Sequence, residues 1–321
     1  MKRFQVLLAL SLMSGATFAT TENTMNVQLA VEQVDNTNKS LLEQFEQATP
    51  LVVVAPAHFN GMELPVRNKR KVTLTVQKST PNDFGDEAEN AWYESHRDGI
   101  PYRRYWYGDL KVSDQNKHFL NMPLQLGDLW RSEVEVHKGY NVFLYGEHKY
   151  DRDCGYDPYL AIITDPEATR IERVLDFSKV LQAFQEKVMT GVSGGFSSFA
   201  SPSFYGCTIE GSTMYVAVSH STYASSSKGK NAYLMAVDMN TGKIKWMTKP
   251  LTCNSQFAIT GNSIICGYGF SGESHYVYVV DKNTGRRSKG VWVKKSPELF
   301  SIEGSKVYSR MYAYDYVFNM K

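Results

Sequence analysis

The stretch AVDMNTGKIKW, Ala236 to Trp246, reads as the end of one strand, a tight turn and the start of the next. Asp238 opens the turn, where a short carboxylate accepts backbone N–H groups further on. Gly242 reaches positive φ at no steric cost. The apolar run NAYLMAVD precedes the turn, and KIKW after it alternates polar and apolar, as a half-buried strand does. The arrangement recurs. HYVYVVDKNTGRRSKGVWV, from His275, carries Asp281 and Gly285 at the separation of Asp238 and Gly242. YLAIITDPEATRIERVLDF, from Tyr159, puts Asp165 in that role, with Thr169 where glycine would stand.

A second turn precedes each of these, marked by Gly139, Gly211, Gly261 and Gly304, each between two apolar runs. Two hairpins per repeat make a four-stranded unit, and recurrence at roughly 40–50 residues is the mark of a β-propeller blade. A β-sandwich with similar hairpins is the competing architecture. The expected fold is all-β, a propeller of about five or six four-stranded blades over 49–321. The first interval is longer because SKVLQAFQEKVMT, with Val180, Leu181, Phe184 and Val188 on one helical face, and a Gly/Ser-rich stretch form an insertion near 178–203. Within 20–48, NKSLLEQFEQA spaces Leu41, Leu42 and Phe45 as a short helix packed on the wheel. The apolar PLVVVAPA is expected to complete the last blade, and the segment from Gly108 to Trp130 to supply the outer hairpin of another.

Residues 1–19, MKRFQVLLALSLMSGATFA, have the positive start, short apolar stretch and small residues of a secretory signal peptide. A periplasmic or secreted protein is expected, with no lipoprotein cysteine and no later transmembrane segment. The formal net charge is +2, and Lys2 and Arg3 leave with that segment. The balance excludes nucleic acid as a partner, since displacing counterions needs a positive face. Cys154, Cys207, Cys253 and Cys266 are disulfide candidates in an exported chain, the most local pairs being Cys253–Cys266 and Cys154–Cys207.

The opening stretch resembles the repeat of the pyrroloquinoline quinone (PQQ)-like β-propellers, Ala-x-Asp-x-x-x-Gly-Lys-x-x-Trp. Ala236, Asp238, Gly242, Lys243 and Trp246 match it, whereas the copies at Asp165 and Asp281 match less fully. The resemblance implies a propeller in which Trp246 docks on a neighbouring blade. It covers both dehydrogenases and scaffolds. The dehydrogenases have adjacent disulfide-bonded cysteines that this chain lacks.

No cofactor and no metal are expected. Asp151, Asp153 and Asp157 depart from calcium-loop spacing. The candidate binding residues are Trp92, Tyr93, Arg103, Arg104 and Trp106 in an aromatic and Arg-rich stretch. His148 and His220 join them, each nine residues after a turn glycine and so expected on an exposed rim. The reading is a non-catalytic exported scaffold for a protein or cell-envelope polymer. The alternative is a degenerate periplasmic quinoprotein-like enzyme or small-ligand sensor.

Overall fold

The computed structural model describes residues 39–65, 72–83, 85–106, 117–147, 158–189 and 202–321. The expected signal peptide, His148, Cys154 and the three aspartates beside it lie outside them.

The protein is mostly β. The first sheet contains β1 (Leu51–Val52), β3 (Tyr102–Trp106), β4 (Gln125–Leu126), β5 (Leu129–His137), β6 (Tyr140–Gly146), β7 (Leu160–Thr164) and β8 (Ile171–Asp176). The second runs β9 (Pro202–Glu210), β10 (Thr213–His220), β11 (Tyr233–Asp238) and β12 (Ile244–Met247). The third runs β13 (Ala258–Thr260), β14 (Ser263–Tyr268), β15 (His275–Asp281) and β16 (Val291–Val293). The fourth joins β17 (Pro297–Glu303), β18 (Lys306–Met311) and β19 (Tyr314–Met320) to β2 (Leu74–Pro81). Among the described residues these are four sheets, where five or six blades were expected. Of the segment expected as a further hairpin, the described residues supply the two-residue β4 and the start of β5, which pair with each other in the first sheet.

Local chemistry explains the hairpins. Asp238 Oδ1 accepts the Asn240 and Thr241 N–H groups at 2.9 and 3.1 Å, and Gly242 takes φ +67°. Asp281 Oδ1 likewise accepts the Asn283 N–H at 3.1 Å, and Gly285 takes φ +73°. At Asp165 the carboxylate holds the Thr169 and Arg170 N–H groups, and the positive φ falls on Ala168 instead.

The sheets pack in sequence order. One core joins the first two sheets around helix α3 (Ser178–Val188), which buries Val180, Leu181, Phe184 and Val188. A second core joins sheets two and three, and a third joins sheets three and four. Trp246 spans the second junction: its indole N–H donates to Lys282 O at 2.9 Å, and Gly285 lies against the ring, where a Cβ would come within 2.6 Å. On the far face of the first sheet, α1 (Lys39–Gln47) and residues 117–126 cover Phe143 and Ile162. Leu41 and Phe45 turn inward there, but Leu42 is exposed, because one helical turn cannot aim adjacent leucines at the same sheet.

The outer edges share one cover. Leu51 and Val52 pair in parallel with Leu175 and Asp176 of β8. The Val54 N–H donates to Gly242 O at 2.8 Å. Met62 bridges Met247 of β12, and the Leu64 N–H donates to Thr284 O at 2.8 Å. Leu74–Pro81 then runs antiparallel to β19 as the last strand of the fourth sheet. Residues 51–65 and 72–81 thus form a belt that touches all four sheets. PLVVVAPA opens this belt instead of completing the last sheet, and LTVQKSTP takes that place. Open strand edges are a pairing hazard, and the belt covers them.

Candidate functional site: a buried polar hub

Residues 96–106 run among the first strands of the sheets. Ser301 donates to His96 O at 3.1 Å, Gln256 Nε2 donates to Tyr102 O at 2.5 Å, and Arg104 Nη1 donates to Tyr205 O at 2.9 Å. Gly99 meets Ser301 and Ile302 so closely that no Cβ would fit. One segment therefore ties together the second, third and fourth sheets while β3 pairs with β5 of the first.

On β5, alternate residues share a face. Val134 and Val136 face the far-side core. Glu133, Glu135 and His137 face the hub and are buried. The Arg104 guanidinium grips the Glu133 carboxylate with two N–H groups, Nη2 at 2.8 Å and Nε closer still. Glu135 Oε2 accepts the Cys207 backbone N–H at 3.0 Å and the Cys207 thiol at 3.1 Å, and lies 3.4 Å from His137 Nε2. Glu135 Oε1 makes no hydrogen bond, with Arg104 Nε standing 3.8 Å away.

Register fixes the imidazole. Tyr102 lies directly opposite His137 on β3, and Tyr140 directly opposite on β6. The His137 ring is stacked between theirs, with centroids 4.8 and 4.3 Å away. Tyr140 is held in turn by accepting the Ile209 N–H at 2.7 Å. Burial lowers the His137 pKa against the pull of Glu135, so the ring is held neutral. Burial, reinforced by the Glu135 carboxylate, raises the Cys207 thiol well above its ordinary value and does the same for the Tyr102 hydroxyl. That hydroxyl is buried without a hydrogen-bond partner, beside Gly206.

The residues singled out in the sequence are spread over several places. Arg104 belongs to the hub and not to a presented surface, because two carbonyl and carboxylate partners draw it inward. Trp92, on α2 (Asp86–Ser95), is also buried, stacked on His96 at 4.5 Å. Tyr93 and Arg103 remain half-exposed: the Arg103 guanidinium lies 5.5 Å from the Tyr93 ring centre and 5.2 Å from that of Tyr105. Trp106 ends β3 opposite Glu133.

His220 is not on a rim. It is fully buried, because the turn Ala224–Ser227 folds over the end of β10. Its Nδ1 accepts the Thr222 N–H at 3.4 Å, which leaves the proton on Nε2 to donate to Ser227 Oγ at 2.8 Å. Burial lowers its pKa to about 4. The unfolded chain takes up a proton below about pH 6.5, and the folded chain does so only near its lowered value. Stability is therefore expected to fall by roughly 3 kcal/mol as pH drops through that window. His220→Gln should remove that slope in urea unfolding at pH 7, 5 and 4; an unaltered slope would contradict the buried neutral ring.

The cysteines also differ from expectation. Cys207, Cys253 and Cys266 are buried thiols. Cys207 turns its sulfur to Glu135, and Cys253 and Cys266 share the core between sheets two and three as neighbouring thiols rather than a bridge.

Glu133, Glu135 and His137 escaped the sequence reading because RSEVEVH alternates as a strand with a wet polar face does. Only the covering by β9 and residues 96–106 makes that face interior. Two carboxylates and a histidine on one strand face were the available signal.

No protein family and no curated protein matches the chain. Among solved structures it is similar to a europium-containing methanol dehydrogenase, at 15% identity and TM-score 0.30, over 50% of this chain and 24% of that one. It is also similar to BamB from Moraxella catarrhalis, at 10% identity and TM-score 0.26, over 60% and 70% of the two chains. A polysaccharide lyase, Uly1, shares 12% identity and TM-score 0.29 over 58% and 43%. The chain thus spans about a quarter of the methanol dehydrogenase it is similar to. Likeness at this level carries over neither partners nor chemistry.

Proposed function

We propose that the protein is an exported, propeller-like scaffold of the PQQ-like kind, its sheets acting as blades around residues 96–106. It binds a protein or cell-envelope polymer through the face presented by α2 and β3. The export step rests on the character of residues 1–19. The observation that carries the binding reading is the Tyr93–Arg103–Tyr105 stack. It is half-exposed and rimmed by Glu94, 3.6 Å from Arg103, and by Arg97. Its supporting strand is fixed by the hub, so the patch is ordered before a partner arrives and little entropy is lost on docking. Aromatic and Arg side chains of this kind carry binding hot spots.

Cross-linking in envelope extract tests this reading. Wild type is expected to capture a stoichiometric partner, and Arg103→Glu or Tyr93→Ala to weaken capture roughly 30-fold, as loss of a hot spot of about 2 kcal/mol does. The circular dichroism and melting of both variants should match wild type, since neither residue is in a core. A partner retained equally by both variants, or none captured by wild type, refutes the assignment of this face.

A further inference from the structure

The geometry points to a divalent metal site of the zinc class inside the hub, with Glu135, His137 and Cys207 as its protein ligands. Their ligand atoms all lie within 4.8 Å of one another, and all three residues are buried. A carboxylate oxygen, an imidazole nitrogen and a thiolate are the donor set that zinc accepts; hard ions such as calcium and magnesium avoid sulfur. The arrangement is fixed before any ion enters. The imidazole is stacked between Tyr102 and Tyr140, and the Cys207 backbone is tied to Glu135.

Two further observations point into the same place. Glu135 Oε1 and the Tyr102 hydroxyl are buried and make no hydrogen bond. Tyr102 lies beside Cys207, since Gly206 would meet its hydroxyl at once if it had a Cβ. Orphaned polar atoms in an interior need an explanation, and a bound ion supplies one. The hydroxyl or a water completes a tetrahedral shell. A divalent ion binds as the Cys207 S–H loses its proton to solvent. The ion would clamp β5 of the first sheet to β9 of the second.

The test uses the full mature chain, stripped with chelator under reducing conditions and then given Zn2+ or Co2+ alone. One equivalent of zinc is expected to bind and raise Tm, and Co2+ should show a thiolate-to-metal charge-transfer band. Zinc X-ray absorption should find one sulfur at about 2.3 Å with nitrogen and oxygen neighbours. Cys207→Ser and His137→Gln should weaken zinc by more than roughly tenfold and abolish the Tm shift, while Cys253→Ser leaves both unchanged. The unmutated chain decides the matter even if a hub variant fails to fold. No stoichiometric binding, a zinc shell with no sulfur or with two, or a Cys207 locked in a disulfide in periplasmic material would each overturn the proposal.

Discussion

Replacing Trp246 by alanine is expected to lower stability by about 3–5 kcal/mol, the usual cost of truncating a buried aromatic to alanine. Trp246 is 2% exposed, near the end of the outer strand of the second sheet, yet its hydrogen-bond acceptor and the glycine under its ring lie in the third. The ring rests on Gly285 and tilts against Tyr215 at 5.9 Å, and its N–H satisfies Lys282 O. Alanine would leave a void between two sheets and an unpaired carbonyl. Collapse into the void is resisted by the Asp281 turn, which is fixed by its own hydrogen bonds. The urea midpoint reads the loss directly if the slope of the transition is unchanged. The same change at Trp292, three residues past the position that matches Trp246 and with a ring 59% exposed, should shift the midpoint little. Equal effects at the two positions would refute the docking role.

Arg104→Met is expected to be as damaging, about 3–5 kcal/mol, for an electrostatic reason. Glu133 is wholly buried, and Arg104 supplies two of its hydrogen bonds. Methionine preserves most of the side chain's bulk but leaves the carboxylate without its bidentate partner. The companion substitution Glu133→Leu removes that stranded charge. The double variant should therefore recover more than half of the loss, since a buried pair replaced by apolar groups is often close to neutral. A double-mutant cycle measures the coupling. Additive effects would mean that the guanidinium matters through its other contacts, Tyr205 O and Glu135 among them, and not through Glu133.

What the sequence disclosed was local. The Asp238 and Asp281 turns are legible because a carboxylate, a glycine and their spacing form the turn within five residues. Helix α3 is legible because its apolar face has its own period. Choices between distant partners were not. PLVVVAPA and LTVQKSTP both read as strands, and nothing within either says which one reaches β19. His220 closes a strand that looks ready for solvent, and only the turn after it seals the ring away. The carboxylates of β5 read as a wet face until β9 and residues 96–106 covered them. Burial is a property of the assembled fold, and it decided each of these cases.

The belt makes the earliest and latest parts of the described chain depend on each other. Leu74–Pro81 is synthesised near the start, but its partner β19 comes last, so the fourth sheet waits for nearly the whole chain. Closing so long a loop costs roughly 5 kcal/mol in chain entropy, which must be met before the pairing returns anything. Such non-local closure is a slow step, and until it happens the outer edge of β19 stands open. A newly made chain would therefore live longest in the state whose last strand is open to pairing with strangers.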